Sequence, residues 1–495
     1  MAKSAAKSAA KLGAVRVAII GAGPGGLCMG IRLKQAGIED FVILERASGV
    51  GGTWFHNRYP GCAVDLPSYF YSFSFEKKYD WSRPYAPQSE LLSYMEGVAE
   101  KYELLGHCQF GQEVDRVTWG EKSGGEAAGW SLVMASGETL RAKSVVSAVG
   151  MFNDLVYPDI PGIDDFGGPA FHSARWDWEE ELAGKRIGII GSAASAVQIV
   201  PEVAKTASQL YLFQRTANWI LPKEDELYTD EELEVFRADP EPLDAKRNEM
   251  FELVDKGMTF KNTEQISQVA AAGDFVLSQV EDPVVREKLR PLHPYGCKRP
   301  LLSNTFYPAI NQDNVELVTD SIERLTETGI LTADGQERAV DLLVFATGFA
   351  ATKYLSALDV RGRNGRHIDE AWDDGANAYL GITTSGFPNL FMLYGPNTNN
   401  GSILEMIEYQ THHVLSHVLR MEQEKLAWVD VKPEAQERYN KKVQAAIADI
   451  PVWNHEVNGY YRSASGRVVT QWPFSMTEFR EMTETVEPDA YEVGV

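Results

Sequence analysis

Cysteine is scarce in this chain: four in 495 residues, at Cys28, Cys62, Cys108 and Cys297, with no C-x-x-C pair. That argues against a disulfide scaffold, a cysteine zinc site or a dithiol redox centre, and leaves buried free thiols as the reading, with no metal site indicated. Positive charge is short as well. Against 70 acidic side chains stand 47 basic ones, a formal charge of −23, which repels rather than recruits a nucleic-acid backbone or an anionic membrane surface. Any phosphate the chain binds therefore needs a local exception to the overall sign. No apolar run is long enough to span a bilayer. The first twelve residues, MAKSAAKSAAKL, lack the apolar segment of a secretory signal and read as a solvated tail, which places the protein in the cytoplasm. What remains is an ordinary globular composition, 44% hydrophobic, with a length prior of roughly three domains.

Two glycine-rich turns organise what is there. The apolar run VRVAII, residues 15–20, suits a buried parallel strand and leads straight into GAGPGG. Gly21 permits the tight turn, Gly23 lets backbone approach a diphosphate, and Gly26 lets the following helix pack on the strand, while the helix N-terminus attracts the phosphate charge. A second strand, FVILE, ends in Glu45, where a carboxylate can accept hydrogen bonds from ribose hydroxyls and would repel a 2′-phosphate. This first site is expected to hold FAD or NAD(H), not NADP(H). The same strand, turn and helix recur in KRIGIIGSAASAVQIV. Gly191 and Arg215 are as far apart as Gly21 and Glu45, but the charge at the end of the strand is reversed. A guanidinium there can pair with a 2′-phosphate, and Thr216 can add a hydroxyl donor. The second site reads as NADPH, cradled by Gly191, Ser192, Ala194, Ser195, Ala196 and Gln198. Ala193 stands where the middle glycine is expected, so the backbone approaches the diphosphate less closely. The fold class implied is α/β, with two Rossmann-like dinucleotide-binding domains.

Other stretches fill in the organisation. GGTWFHNRYPGCAVD, from Gly51 to Asp65, has too much glycine, proline and aromatic content for a regular helix and looks like a cofactor-facing loop. The alternating SYFYSFSF, residues 68–75, reads as sheet and core rather than a nucleobase platform. SVVSAVG ends a strand at Gly150, and a proline-marked segment leads from it into the second domain. From Leu221 to about His293 the sequence is charged and helix-favouring, which marks a helical insertion. NLFMLYGPNTNNGSILEMIEYQ reads as strand, polar turn and helix, with a helix N-terminus able to aim donors at a flavin ring edge and Asn397 as its candidate contact. The expected boundaries are a tail at 1–12, an FAD-binding domain at 13–150 and 380–495, an NADPH-binding domain at 151–222 and 297–379, and the insertion at 223–296.

Between the two glycine turns lies FGGPAFHSARWD, residues 166–177. Its pattern F-x-G-x-x-x-H-x-x-x-W-D resembles a signature of the type I Baeyer–Villiger monooxygenases. The Gly51–Asp65 loop matches that family's other fingerprint at every fixed position, and Lys298-Arg299-Pro300 resembles its K-R-P triplet. DLLVFATGF, residues 341–349, resembles the return linker of two-dinucleotide-domain flavoproteins in general. The resemblance implies an FAD-bearing enzyme that consumes NADPH and dioxygen and converts ketones to esters or lactones through a flavin peroxide. It places Gly52, Thr53, Trp54, Asp65 and Tyr71 along the flavin and Lys298 on the NADPH phosphate. Arg299 lies over the flavin as the fixed cation for the deprotonated peroxide, with Asp65 orienting it. His172, with Trp176 in the same fingerprint, is assigned to the domain linker and couples the two sites rather than transferring protons. Where the family carries a tryptophan over NADP(H), this chain has Gly459 and Tyr460. The nearest alternative is a flavin monooxygenase that oxygenates nitrogen or sulfur, which has no need of Arg299. A disulfide reductase lacks its cysteine pair here, and a non-catalytic flavin-bearing redox sensor is the alternative of another class.

Overall fold

The structure, a computed structural model, describes residues 11–122, 127–355, 357–455 and 459–495. The chain opens with strand β1 (Lys11–Ile20), helix α1 (Pro24–Gln35) and β2 (Phe41–Glu45). After a long irregular segment and the helix Gln88–Lys101 come β3 (Cys108–Phe110), β4 (Val114–Gly120), β5 (Gly129–Met134) and β6 (Thr139–Ser147). The second half begins with β7 (Ala170–His172), β8 (Arg186–Ile190), α2 (Ala194–Val203) and β9 (Gln209–Phe213). Four helices follow: α3 (Asp230–Ala238), α4 (Glu241–Gly257), α5 (Thr263–Leu277) and α6 (Pro283–Lys288). Then β10 (Val315–Val318) and β11 (Leu342–Phe345) are succeeded by β12 (Asp359–Arg361), β13 (Leu390–Met392), α7 (Ile403–Gln423) and α8 (Met476–Thr483).

Two large sheets result, with three small ones of two or three strands beside them among the described residues. The first runs β12-β4-β5-β6-β1-β2-β3, with β13 also paired to β6. Its β6, β1, β2 and β3 are parallel, and β4 and β5 form an antiparallel flap. The second, β10-β9-β8-β11-β7, is parallel throughout. Both bury nearly continuous β-branched runs: FVILE of β2 is buried at every position, as a parallel strand covered on both faces requires. The repeat seen in sequence is also a repeat of topology. β1 lies beside β6 as β8 lies beside β11, and each first-strand glycine presses on the chain leaving its neighbour. A Cβ on Gly21 would stand 2.6 Å from the Ala148 carbonyl oxygen, and one on Gly191 2.4 Å from that of Ala346. Both glycines have left-handed φ, +105° and +108°, which other residues adopt only under strain.

The structure corrects three expectations. β1 already begins at Lys11, so the tail ends before residue 12; residues 1–10 lie outside the described residues. The chain is back in the first sheet by β12, well before 380, because Asp359–Arg361 pairs with Arg116–Thr118 and Arg116 donates to Asp359 at 3.1 Å. Residues 68–75 form consecutive turns, not a strand. The amides of Phe70 and Tyr71 both bond back to the Pro67 carbonyl, so the backbone curls, and the serine–aromatic alternation follows the turns and not a pleat. The segment still contributes core through Phe70 and Phe73.

Among the described residues no helix is long and apolar enough to cross a membrane. The longest, α7, buries Leu404, Ile407, Thr411, Val414, Val418 and Met421 at helical spacing. It also buries His413 and His417. The His413 Nδ1–H donates to the Thr483 carbonyl at 3.0 Å, and its Nε2 accepts from His417 at 3.3 Å. Burial, opposed by the Thr483 bond, lowers His413 to about 4. The unfolded chain therefore takes up this proton below pH 6.5 while the folded one resists until about 4, so stability is full above pH 6.5 and falls on acidification. The loss from this one group should reach about 3 kcal/mol. Urea midpoints measured from neutral pH down to about 4 should slope less steeply in His413→Gln than in wild type.

Candidate active site

Gly23 stands at the N-cap of helix α1 and Ala193 at that of helix α2, neither with a side-chain cap. Their first N–H groups are unsatisfied and form natural anion sites. Gly23, Gly25, Ala193 and Ala194 all line one cavity of about 450 Å³ between the two sheets. At the first turn, a Cβ on Gly26 would lie 1.9 Å from the Gly21 carbonyl oxygen, so the glycine is what lets α1 lie so close. Gly52, at φ +55°, is held against Gly23, whose Cα a Cβ there would meet at 2.8 Å. Glu45 is buried with its carboxylate fixed, Oε2 accepting from the Ala22 amide and Oε1 from the Ala47 amide, both at 2.8 Å. It faces the cavity with lone pairs to spare.

Thr53, Trp54, Asp65 and Tyr71 form the adjoining wall. Trp54 and Tyr71 meet edge to face at 5.7 Å, and the indole N–H donates to the Tyr71 hydroxyl at 3.3 Å. Opposite them Arg299, from the far side of the insertion, donates through Nε to Asp65 Oδ2 at 2.7 Å. The two residues are 234 positions apart and their ion pair is an observed contact of the fold. Burial would raise Asp65, but the Arg299 charge and hydrogen bond outweigh it and hold the carboxyl below its usual range. In return the Asp65 charge lifts Arg299 well above its ordinary value against the pull of burial. The pair is thus an ionised fork and carboxylate at any working pH, with Tyr460 beside Arg299 in the same wall.

The second turn shares the cavity in part. Ala194, Ser195 and Gln198 line it. Gln198 also bridges the halves, donating to the Ala63 carbonyl at 3.0 Å and accepting from the Tyr59 hydroxyl at 2.9 Å. Gly191, Ser192 and Ala196 stand behind the wall, Ser192 tied to the Thr216 carbonyl at 3.2 Å. Arg215 and Lys298 lie together outside the cavity: burial first and then the Arg215 charge push the Lys298 ammonium below its usual range. Neither has a carboxylate partner among the described residues. Two adjacent cations left unpaired in so acidic a chain are the local exception that a phosphate requires.

One expected contact falls elsewhere. Asn397 is turned away from the cavity, donating to the carbonyls of Val468 and Gln471 at 3.0 Å each, because the turn takes left-handed φ at 397. Asn399, two residues on, lines the cavity instead and accepts from the Tyr394 hydroxyl at 2.6 Å. Its place in the NTNN run left no sequence signal to choose it over Asn397. His172 is fully buried on β7 and away from the cavity. Its Nδ1 accepts from the Ala174 amide at 3.1 Å, so Nε2 carries the proton and donates to the Gly348 carbonyl at 3.1 Å. Burial lowers its pKa, the Gly348 bond opposing, and the neutral ring fastens the end of β7 to the chain leaving β11. Trp176 packs on Phe171 and Trp178 at 5.1 and 6.2 Å.

The pyridine nucleotide-disulphide oxidoreductase family matches residues 18–278. A Baeyer–Villiger monooxygenase of Pseudomonas aeruginosa is 40% identical over 485 residues, covering 96% of this chain and 91% of that protein. Among solved structures, OTEMO in complex with FAD and NADP superposes with a TM-score of 0.87 at 28% identity, covering 99% of this chain and 100% of that one. Cyclohexanone monooxygenase from Rhodococcus sp. Phi1 bound to NADP+ does so with a TM-score of 0.87 at 29% identity, covering 98% and 100%. The disulphide chemistry in the broad family's description finds no counterpart in four cysteines that are all unpaired. With its two nucleotide turns, its Arg299–Asp65 pair and near full-length similarity, the chain belongs to the Baeyer–Villiger monooxygenases.

Proposed function

We infer that this enzyme oxidises ketones to esters or lactones, consuming NADPH and dioxygen with FAD in the first cradle. The carrying observation is the Arg299–Asp65 ion pair set in the wall of a cavity that also receives both dinucleotide turns. The cradle fits a flavin dinucleotide: an uncapped helix N-terminus for the diphosphate, glycines where a Cβ would strike backbone, and a fixed carboxylate for the ribose. FAD, when bound, supplies the electron relay and activates dioxygen. The chain's own residues bind, orient and stabilise. Gly21, Gly23, Gly26, Glu45, Gly52, Thr53, Trp54, Asp65 and Tyr71 hold the flavin, with Asn399 taking the place expected of Asn397. Gly191, Ser192, Ala194, Ser195, Ala196, Gln198 and Thr216 hold NADPH, with Arg215 and Lys298 on its 2′-phosphate and Tyr460 near the nicotinamide. Asp65 fixes Nε of Arg299, so the remainder of a non-titrating fork faces the cavity, where it stabilises negative charge that develops as oxygen is delivered to the carbonyl. His172 and Trp176 keep the two domains in register.

The test is product analysis by mass with linear, cyclic and aryl ketones and a thioether, using NADPH or NADH, on wild type and Arg215→Ala. Esters or lactones should form with a strong preference for NADPH. The variant should lose that preference by roughly tenfold to a hundredfold, the worth of one charge-assisted contact. Sulfoxide as the sole product would instead assign the enzyme to heteroatom oxygenation.

A further inference from the structure

The four-helix insertion carries no glycine turn and no residue assigned above, yet its helix α4 reaches the cavity wall from behind. Arg247 of α4 is 6% exposed in a segment most of whose other charged side chains are exposed. Its Nη1 donates to the carbonyls of Tyr69 at 2.9 Å, Ser72 at 3.2 Å and Phe70 at 3.3 Å. These are carbonyls of the curled segment around Tyr71, which no strand ladder satisfies. Its Nη2 donates to Glu405, in the first turn of α7, across a pair whose side chains are 7% and 10% exposed. One planar guanidinium thus joins two pieces of cavity wall. The curled segment presents Tyr71 and, through it, Trp54; the start of α7 carries Ile403 and Ile407 and follows Asn399 and Gly401, all of which line the cavity. The rest of α4 is fastened in the same sense. Asp244 receives Lys77 at 2.9 Å, and Asp255 receives the Thr477 amide and hydroxyl at 3.0 and 2.9 Å. Just beyond α4, Phe260, at left-handed φ +52°, is packed against Gly296 so closely that a Cβ there would meet its ring at 2.6 Å. Gly296 is three residues before Arg299.

We propose that Arg247 is a positioning residue of the monooxygenase site, the point through which the insertion sets the spacing between the Tyr71–Trp54 wall and the α7 wall, and so the fit of the ketone. The proposal rests on the function inferred above. A fork is needed because three carbonyls and a carboxylate must be met at once from one buried group. Lysine offers a single ammonium without that planar reach. Stability alone does not account for the arrangement, since a buried ion pair is often no more stabilising than apolar residues of the same volume.

The experiment compares wild type with Arg247→Met and Arg247→Lys, each loaded with FAD, in steady-state turnover of a cyclic ketone. A shift of about 1 Å in a positioned wall costs on the order of a hundredfold. Arg247→Met should therefore lose roughly tenfold to a hundredfold in kcat/KM for the ketone and form fewer lactone molecules per NADPH consumed. The KM for NADPH should stay within about twofold, because the second nucleotide turn is untouched. Arg247→Lys should fall between, restored in part by its charge on Glu405. A methionine variant that melts earlier but keeps wild-type ketone kinetics and coupling would overturn the proposal and leave Arg247 a structural residue. If that variant does not retain FAD, the lysine variant decides: wild-type ketone kinetics there would overturn it equally. Failure of wild type to form any ester would instead sink the function on which it rests, with no bearing on the folding of the variants.

Discussion

Arg299→Ala should lower ester formation on the order of a hundredfold to a thousandfold, the loss expected for one preorganised donor aimed at developing negative charge. Flavin reduction by NADPH should persist, because hydride transfer needs no cation at this point. Stopped-flow absorbance would follow reduction anaerobically, and mass analysis would follow product with oxygen present. The reason for so large an effect is the setting. The fork is oriented by a hydrogen bond of 2.7 Å to Asp65 and its charge is held on by that same carboxylate, so neither has to reorganise during reaction. Asp65→Ala should mimic the loss only in part, since it frees the guanidinium without removing it. Should Arg299→Ala still make ester at wild-type rate, the cation acts elsewhere and the cavity wall has been misread.

What could be read from the sequence follows from how local the physics is. The two glycine turns were legible because strand, turn and helix are contiguous, and Gly26 answers to the carbonyl of Gly21 in the same turn. The reversal of charge between Glu45 and Arg215 was legible for the same reason. The Arg299–Asp65 contact was expected through resemblance alone, since no spacing argument joins residues 234 apart. The segment 68–75 misled because alternation predicts a strand only if the backbone is extended, and Pro67 and the buried Arg247 curl it instead. The burial of Arg247 was invisible for a related reason: in a stretch dense with charge, it is decided by where α4 meets the Tyr69–Ser72 curl and Glu405, and not by neighbours in the chain. That Asn399 and not Asn397 lines the cavity turned on one left-handed φ in a run whose three asparagines could each adopt it.

Gly26→Ala tests how literally the first turn must be taken. At this position the new methyl would stand 1.9 Å from the Gly21 carbonyl oxygen, a backbone atom that no side-chain rotation can move aside. Helix α1 would have to retreat from β1, taking the uncapped N–H groups with it, while Gly21 is itself pinned against Ala148. The variant should purify largely without flavin and lose about 3 kcal/mol or more in stability, the upper range for overpacking a core. The ratio of flavin absorbance to protein and the urea midpoint would measure the two losses. The second turn supplies the control. Ala196 occupies the matching place, three residues into α2, and is fully buried with its methyl in place, so α2 already stands far enough from its strand to admit it. Ala196→Gly should cost only about 1 kcal/mol, the helix propensity of glycine against alanine, and leave flavin content unchanged. Two substitutions of one methyl group, opposite in direction and at equivalent positions of the repeat, should therefore differ severalfold in cost. If they cost the same, close approach of helix to strand is not what holds the flavin, and the affinity of the first cradle resides in Glu45 and the Gly51–Asp65 loop.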